Sequence, residues 1–209
     1  MANPYLLIVA AIIVLILNPC RVRAQAFTNE STTLEAGYGF GTFTNSLSKA
    51  LDQFTDVKHT EFGPIYFKAE RGVTDHIGIG LSFAYVQDRW KYNYGNGYTE
   101  TDNRTSYSVL ARLNFHIGNS KKIDPYCGFG LGYRNAIWTS STTSPQGNSG
   151  IDLQTFIPLG FELTLGVRYL ITPNFAVYTE WGGAKSVFQL GAGIYLPGIA
   201  RTVTPLIRP

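Results

Sequence analysis

The sequence predicts an all-β chain folded as an eight-stranded antiparallel up-and-down transmembrane β-barrel. Three observations predict it. Eight segments alternate in period two, with large apolar residues on one face and glycine, polar or charged residues on the other. The apolar face of one segment runs for eight positions, from Ile157 to Ile171, longer than a usual soluble strand. The opposite face there is Pro158, Gly160, Glu162, Thr164, Gly166 and Arg168, poor material for a packed core. A strand that is greasy outside and polar inside over roughly 9–11 residues is what a closed barrel in a bilayer requires.

Residues 1–26 read as a secretory signal. Their apolar core, Leu6–Leu17, is a signal-length stretch, too short to span a bilayer. Ala24-Gln25-Ala26 matches the small-x-small cleavage pattern and predicts a mature start at Phe27. Cys20 follows Asn18-Pro19 rather than the small residues of a lipidation site. The predicted organisation is therefore signal 1–26, barrel 27–196 and a short tail 197–209. The chain of 209 residues carries a formal charge of +3, and loss of Arg21 and Arg23 with the signal leaves +1. That balance argues against a nucleic-acid partner, which calls for a basic stripe. Cys127 is then the only cysteine, so no internal disulfide framework exists. On the apolar face of its strand it reads as a small hydrophobe.

The elements follow in order. Phe27–Thr33 is a short polar lead-in. Leu34–Phe43 is the first strand, with Leu34, Ala36, Tyr38 and Phe40 opposite Glu35, Gly37, Gly39 and Gly41. Asn45–His59 breaks the pattern. Leu47, Leu51 and Phe54 recur there at helical spacing behind Asn45-Ser46, which predicts a short amphipathic helix in a loop. Gly63–Val73 is the second strand and Ile77–Val86 the third, joined by the turn Thr74–His76. Gln87–Arg104 reads as a polar-aromatic loop, with Tyr92, Tyr94 and Tyr98 suited to recognition. Thr105–Ile117 is the fourth strand, Gly118–Asp124 a polar turn, Pro125–Trp138 the fifth strand and Thr139–Gly150 a Ser/Thr/Gly/Asn loop. Phe156–Leu196 holds the last three strands, broken at Thr172-Pro173-Asn174 and at Gly182–Ser186. Connections after strands one, three and five are long and those after two, four and six short, the asymmetry of outer-membrane barrels.

The run from Gly166 to Gly182, GVRYLITPNFAVYTEWG, resembles the penultimate hairpin of the small OmpA/OmpX-like outer-membrane β-barrel proteins. The resemblance extends loosely over Leu34–Leu196 as a pattern of hairpins. It implies eight strands in the outer membrane of a Gram-negative cell, inserted there by the barrel-assembly machinery and surrounded by outer-membrane lipid. The chain departs from that pattern at its end, where Pro197–Pro209 follows Tyr195-Leu196 in place of a terminal aromatic. Pro197 has no N–H to continue the ladder.

The face assignment places Glu35, Lys68, Glu70, Arg112, Arg134, Glu162, Arg168 and Glu180 in the lumen, four acids against four bases. An eight-stranded barrel is just wide enough for side chains to fill, and buried charges must be paired. These residues are therefore expected to form a structural ion-pair network that plugs the lumen. Tyr85, Tyr107, Tyr133, Trp138, Tyr169 and Trp181 fall near strand ends and are expected to form interfacial girdles.

No catalytic site is expected. Some small outer-membrane barrels modify lipids with Ser/His and an acid, but His59, His76 and His116 have no such partners in this reading. Nor do three isolated histidines and one cysteine show metal-ligand spacing, and no cofactor is implied. The favoured function is a structural or adhesive barrel that presents loops 45–59, 87–104 and 139–150 to an extracellular ligand. A narrow pore for small solutes is the alternative. A soluble secreted ligand-binding barrel is a third, which would need the apolar faces inside and the Gly/Glu/Arg faces in water.

Overall fold

The computed structural model describes residues 26–42, 57–93, 97–118, 120–143 and 158–196. The segment 1–25, the expected helix at Leu47–Phe54, Tyr94, most of the loop 139–150 and the tail 197–209 lie outside the described residues. The strands are β1 (Thr32–Phe40), β2 (Val57–Gly72), β3 (Ile77–Asn93), β4 (Thr99–His116), β5 (Ile123–Thr142), β6 (Leu159–Thr172), β7 (Phe175–Gly183) and β8 (Phe188–Leu196). Each pairs antiparallel with its sequence neighbours. β1 closes the barrel on β8 from Thr32↔Leu196 to Phe40↔Phe188.

Parity sets the two faces. Leu81, Phe161, Leu163 and Leu165 each stand more than half exposed on the outside. A continuous apolar belt of this size on a monomer marks a surface built for lipid. Their strand neighbours Ser82, Glu162, Thr164 and Arg168 are buried inside. The interior is therefore polar. Some of its glycines let a side chain from the neighbouring strand lie on the backbone: Gly166 sits under the Tyr126 ring of β5 and Gly128 under the Arg112 guanidinium of β4, where a Cβ would collide.

Four strands are longer than the sequence pattern predicts. β3 runs to Asn93 and β4 begins at Thr99, so most of Gln87–Arg104 is hairpin ladder rather than loop. β5 continues to Thr142. β2 begins at Val57, which puts His59 in a strand. Among the described residues, β5–β6 pairing stops at Tyr133↔Leu159 while β4–β5 pairing continues to Glu100↔Thr142. Among the described residues, the upper parts of β2–β5 thus extend past the last pairs of β1 and β6 as a sheet at the long-loop end. Its outer face carries Gln87, Arg89 and Lys91 and its inner face mixes Asp88 with Trp90 and Trp138, so no run of apolar alternation advertises it.

A bulge governs the orientation of β2. Phe62 pairs with Gln87 and Ile65 with Tyr85, so β2 carries one residue more than β3 between these pairs. An extra residue flips the phase of the strand beyond it. Below the bulge the even residues Tyr66, Lys68 and Glu70 face in; above it His59 and Glu61 do.

Both mouths of the lumen are covered. At the short-turn end the lead-in folds under the barrel. Gly72 N–H donates to Ser31 O at 2.8 Å, and Glu30 N–H donates to Gly72 O at 3.0 Å. Phe27 is 1% exposed and stacks on His116 at 3.5 Å. At the other end the β7–β8 connection dips inward. Ser186 N–H donates to Tyr66 Oη at 3.0 Å, and Lys185 Nζ donates to Ser106 Oγ at 2.6 Å.

Candidate functional site

The lumen holds two charge clusters, one above the other. Near the short turns, Arg168 projects from β6 and is fully buried. Its Nε donates to Glu35 at 2.7 Å, one terminal nitrogen to Asp124 at 2.7 Å and the other to Glu70 at 2.9 Å. His116 bridges the same two acids, with Nδ1 2.8 Å from Asp124 and Nε2 2.8 Å from Glu70. Ionised carboxylates only accept, so this arrangement is satisfied when both ring nitrogens carry protons. Five strands, β1, β2, β4, β5 and β6, are tied together by one guanidinium and one imidazole.

At mid-height Glu180 is the hub. It accepts from Lys68 Nζ at 2.7 Å, from Arg112 Nη2 at 2.7 Å and from Tyr126 Oη at 2.8 Å. Lys68 also donates to Gln189 at 2.7 Å. Arg112 donates to Thr164 and Asn114, each at 3.1 Å. Glu162 lies 3.0 Å from Arg112 without the alignment of a hydrogen bond, so that contact is coulombic. Lys68 and Arg112 balance Glu162 and Glu180 in charge.

Seven of the eight lumenal residues named from the sequence enter these ion pairs. Arg134 does not: it donates to the Phe161 carbonyl at 3.2 Å and forms no ion pair among the described residues. Asp124 and His116 were missed as members. Asp124 shares the inward parity of Tyr126 and Gly128, but Pro125 beside it suggests a turn. His116 follows the inward parity of Arg112 and Asn114.

Of the aromatics, Tyr133, Tyr169 and Trp181 stand exposed on the outer face, and Tyr85 and Tyr107 are half-buried there. The Tyr107 and Tyr133 rings are 6.0 Å apart on neighbouring strands. Trp138 is a correction. It lies on the inner side of the projecting sheet, stacked on Trp90 at 5.4 Å with the Arg104 guanidinium 5.6 Å from its ring. Its parity with Arg134 required this; residue type at a strand end suggested otherwise.

The projecting sheet brings together a third group that sequence spacing does not reveal. His59 Nε2 is 3.3 Å from Asp88 Oδ1. Arg104 approaches the other Asp88 oxygen at 3.2 Å. Glu61 accepts from the Thr42 hydroxyl at 2.5 Å. One ligand atom from each of His59, Glu61 and Asp88 lies within 4.8 Å of the others. The residues come from two paired strands, far apart in sequence, and the β2 bulge aims two of them. Nearby, Lys185 sits in the β7–β8 connection, outside the strands. Burial, then the Arg134 and Arg104 charges, push its amine down to about 7, with Asp88 opposing.

The fold and its polar, charge-paired interior define an outer-membrane barrel. The chain belongs to the outer membrane protein beta-barrel domain family, whose model matches residues 10–193. Among solved structures it resembles Ail, the attachment invasion locus protein of Yersinia pestis, in complex with the heparin analogue sucrose octasulfate. That likeness has a TM-score of 0.50 at 17% identity and covers 80% of this chain and 99% of that one. It also resembles the N-terminal barrel domain of Pseudomonas aeruginosa OprF, with a TM-score of 0.39 at 17% identity over 81% and 99% of the two chains. OprG of the same organism matches with a TM-score of 0.43 at 10% identity over 84% and 100%. No curated protein is a significant match.

Proposed function

We propose that this barrel is closed to solutes, is not an enzyme, and serves the cell surface by structure and by contact. The observation that supports this is the filling of the lumen at every level. The lead-in covers one mouth, the Arg168 and Glu180 clusters cross the middle, and Lys185 and Ser186 cover the other mouth. In this reading the short turns face the periplasm and the long-loop end faces out. The upper parts of β2–β5, which take up most of 87–104 and the ends of 45–59 and 139–150, then stand clear of the bilayer and present the β1–β2, β3–β4 and β5–β6 connections to a ligand. The barrel-assembly machinery inserts the chain after the signal is cut near Ala26–Phe27, and outer-membrane lipid surrounds the belt.

The test has two arms. Purified full chain is reconstituted in planar bilayers, and cells displaying it are assayed for binding to sulfated glycans, with sucrose octasulfate as competitor. Absence of stable conductance steps, with binding lost when residues 144–150 are replaced by a Gly/Ser sequence, supports the surface role. Reproducible open steps would replace this reading with that of a narrow pore.

A further inference from the structure

We infer that His59, Glu61 and Asp88 form a binding site for a divalent transition metal, Zn²⁺ being the ion that fits, at the long-loop end of the barrel. The inference is independent of whether the barrel binds a surface ligand.

The donor set is one imidazole and two carboxylates. Zn²⁺ takes these ligands at about 2.0–2.2 Å, and an open site uses three protein ligands and leaves the fourth position free. Two ligands of a tetrahedron with such bonds stand roughly 3.4 Å apart. The observed 3.3 Å between His59 Nε2 and Asp88 Oδ1 matches that edge before any ion enters. Glu61 offers the third oxygen within 4.8 Å of both, so a small side-chain rotation closes the set.

The surroundings resemble those of a metal site. Asp88 is wholly buried and the His59 side chain is 6% exposed. Arg104 engages Asp88 Oδ2 and leaves Oδ1 directed at His59. Thr42 donates to Glu61 and fixes it as an outer partner would. His59 lies against Trp90, with ring centroids 5.0 Å apart, which fixes the imidazole plane. The β2 bulge is what turns His59 and Glu61 inward; a regular strand would send both outward.

Two cations face the site. Arg104 touches Asp88, and Lys185 lies further off, its charge reduced because its amine sits at about 7. Arg104 is thus a competitor: its guanidinium occupies part of the negative field that a metal would use. This distinguishes the site from an ordinary His–Asp–Arg ion-pair cluster, in which removing Arg104 only weakens the arrangement.

The test uses full chain without a histidine tag, refolded in detergent micelles, stripped with chelator and titrated with Zn²⁺ by calorimetry near neutral pH. The expected result is one saturable site per chain. His59→Ala and Asp88→Asn each weaken it by at least the roughly 10–100-fold seen for lost outer partners, and Arg104→Gln tightens it roughly tenfold by removing the nearby charge. Heat-dependent gel mobility confirms that each variant is folded. Should Asp88→Asn not fold, Glu61→Gln takes its place. Absence of saturable binding, binding that survives His59→Ala, or weaker binding in Arg104→Gln overturns the proposal.

Discussion

Arg168 holds Glu35, Glu70 and Asp124 at once from a wholly buried position. Removing one partner of such a cluster is costlier than replacing it whole, because the remaining charges stay buried and unpaired. Arg168→Met is therefore expected to lower stability by about 3–5 kcal/mol, read as a lower denaturant midpoint in micelles. An unchanged midpoint would mean that water reaches the cluster. Lys185 gives a pH-dependent prediction. A free lysine titrates near 10.4, and this one at about 7. Between those values the unfolded chain holds more protons, so stability attributable to this residue rises with pH across the window. Its penalty is full below about 7. Lys185→Met should stabilise the barrel in mild acid, and the gain should fade toward about pH 10. A gain constant with pH would assign the effect to packing instead. These residue roles were only partly legible in the sequence. Parity placed Arg168 and Glu180 inside, because their strands alternate cleanly against an apolar belt. Pro125 gives Asp124 the look of a turn residue, and its place at a strand end gives Trp138 the look of a girdle aromatic.

At the scale of the element, the β2 bulge decides which side chains share the outer chamber. Deleting Gly63 removes the extra residue and restores regular alternation. His59 and Glu61 then point away from Asp88. The expected measurement is thiol accessibility at position 59, in a His59→Cys chain that also carries Cys127→Ser. The thiol is protected with the bulge and reactive toward a polar maleimide without it. Protection in both chains would show that the strand slides to absorb the deletion. Neither the bulge nor the strand extensions were visible beforehand. Within the belt, a one-residue slip would put charge against lipid, so register is written in the hydrophobic pattern. Above Tyr85 the outer face of β3 carries Gln87, Arg89 and Lys91 in place of an apolar belt, so no such pattern fixes the register there. The turn residues of 74–76 and 172–174 carry their own chemistry and are legible for that reason; the structure ends β2 one residue before Val73.

For the molecule as a whole, eight strands, their order and their closure followed from alternation and loop asymmetry, as β1–β8 pairing shows. The interior follows from size: at eight strands the lumen is filled by side chains. Glu180 is the point where that filling is most exposed to test. It joins β7 to β2, β4 and β5 through Lys68, Arg112 and Tyr126. Glu180→Ala removes the hub and leaves two cations facing each other. It is expected to give flickering cation-excluding conductance where the parent chain is silent, and a gel shift lost at lower temperature. A silent, equally heat-resistant variant would show that the mouths alone seal the barrel.

For the proposed cut near Ala26–Phe27, the packing of the lead-in sets an order of events. Ala26 and Phe27 are 4% and 1% exposed, tucked against Leu170, Ala176, Tyr195 and His116. A peptidase needs an extended, accessible strand of substrate, and this bond offers none once the fold is complete. Removal of a leader at this junction thus belongs to the time before the mouth is sealed. A chain that folds first would keep its leader for the lifetime of the barrel.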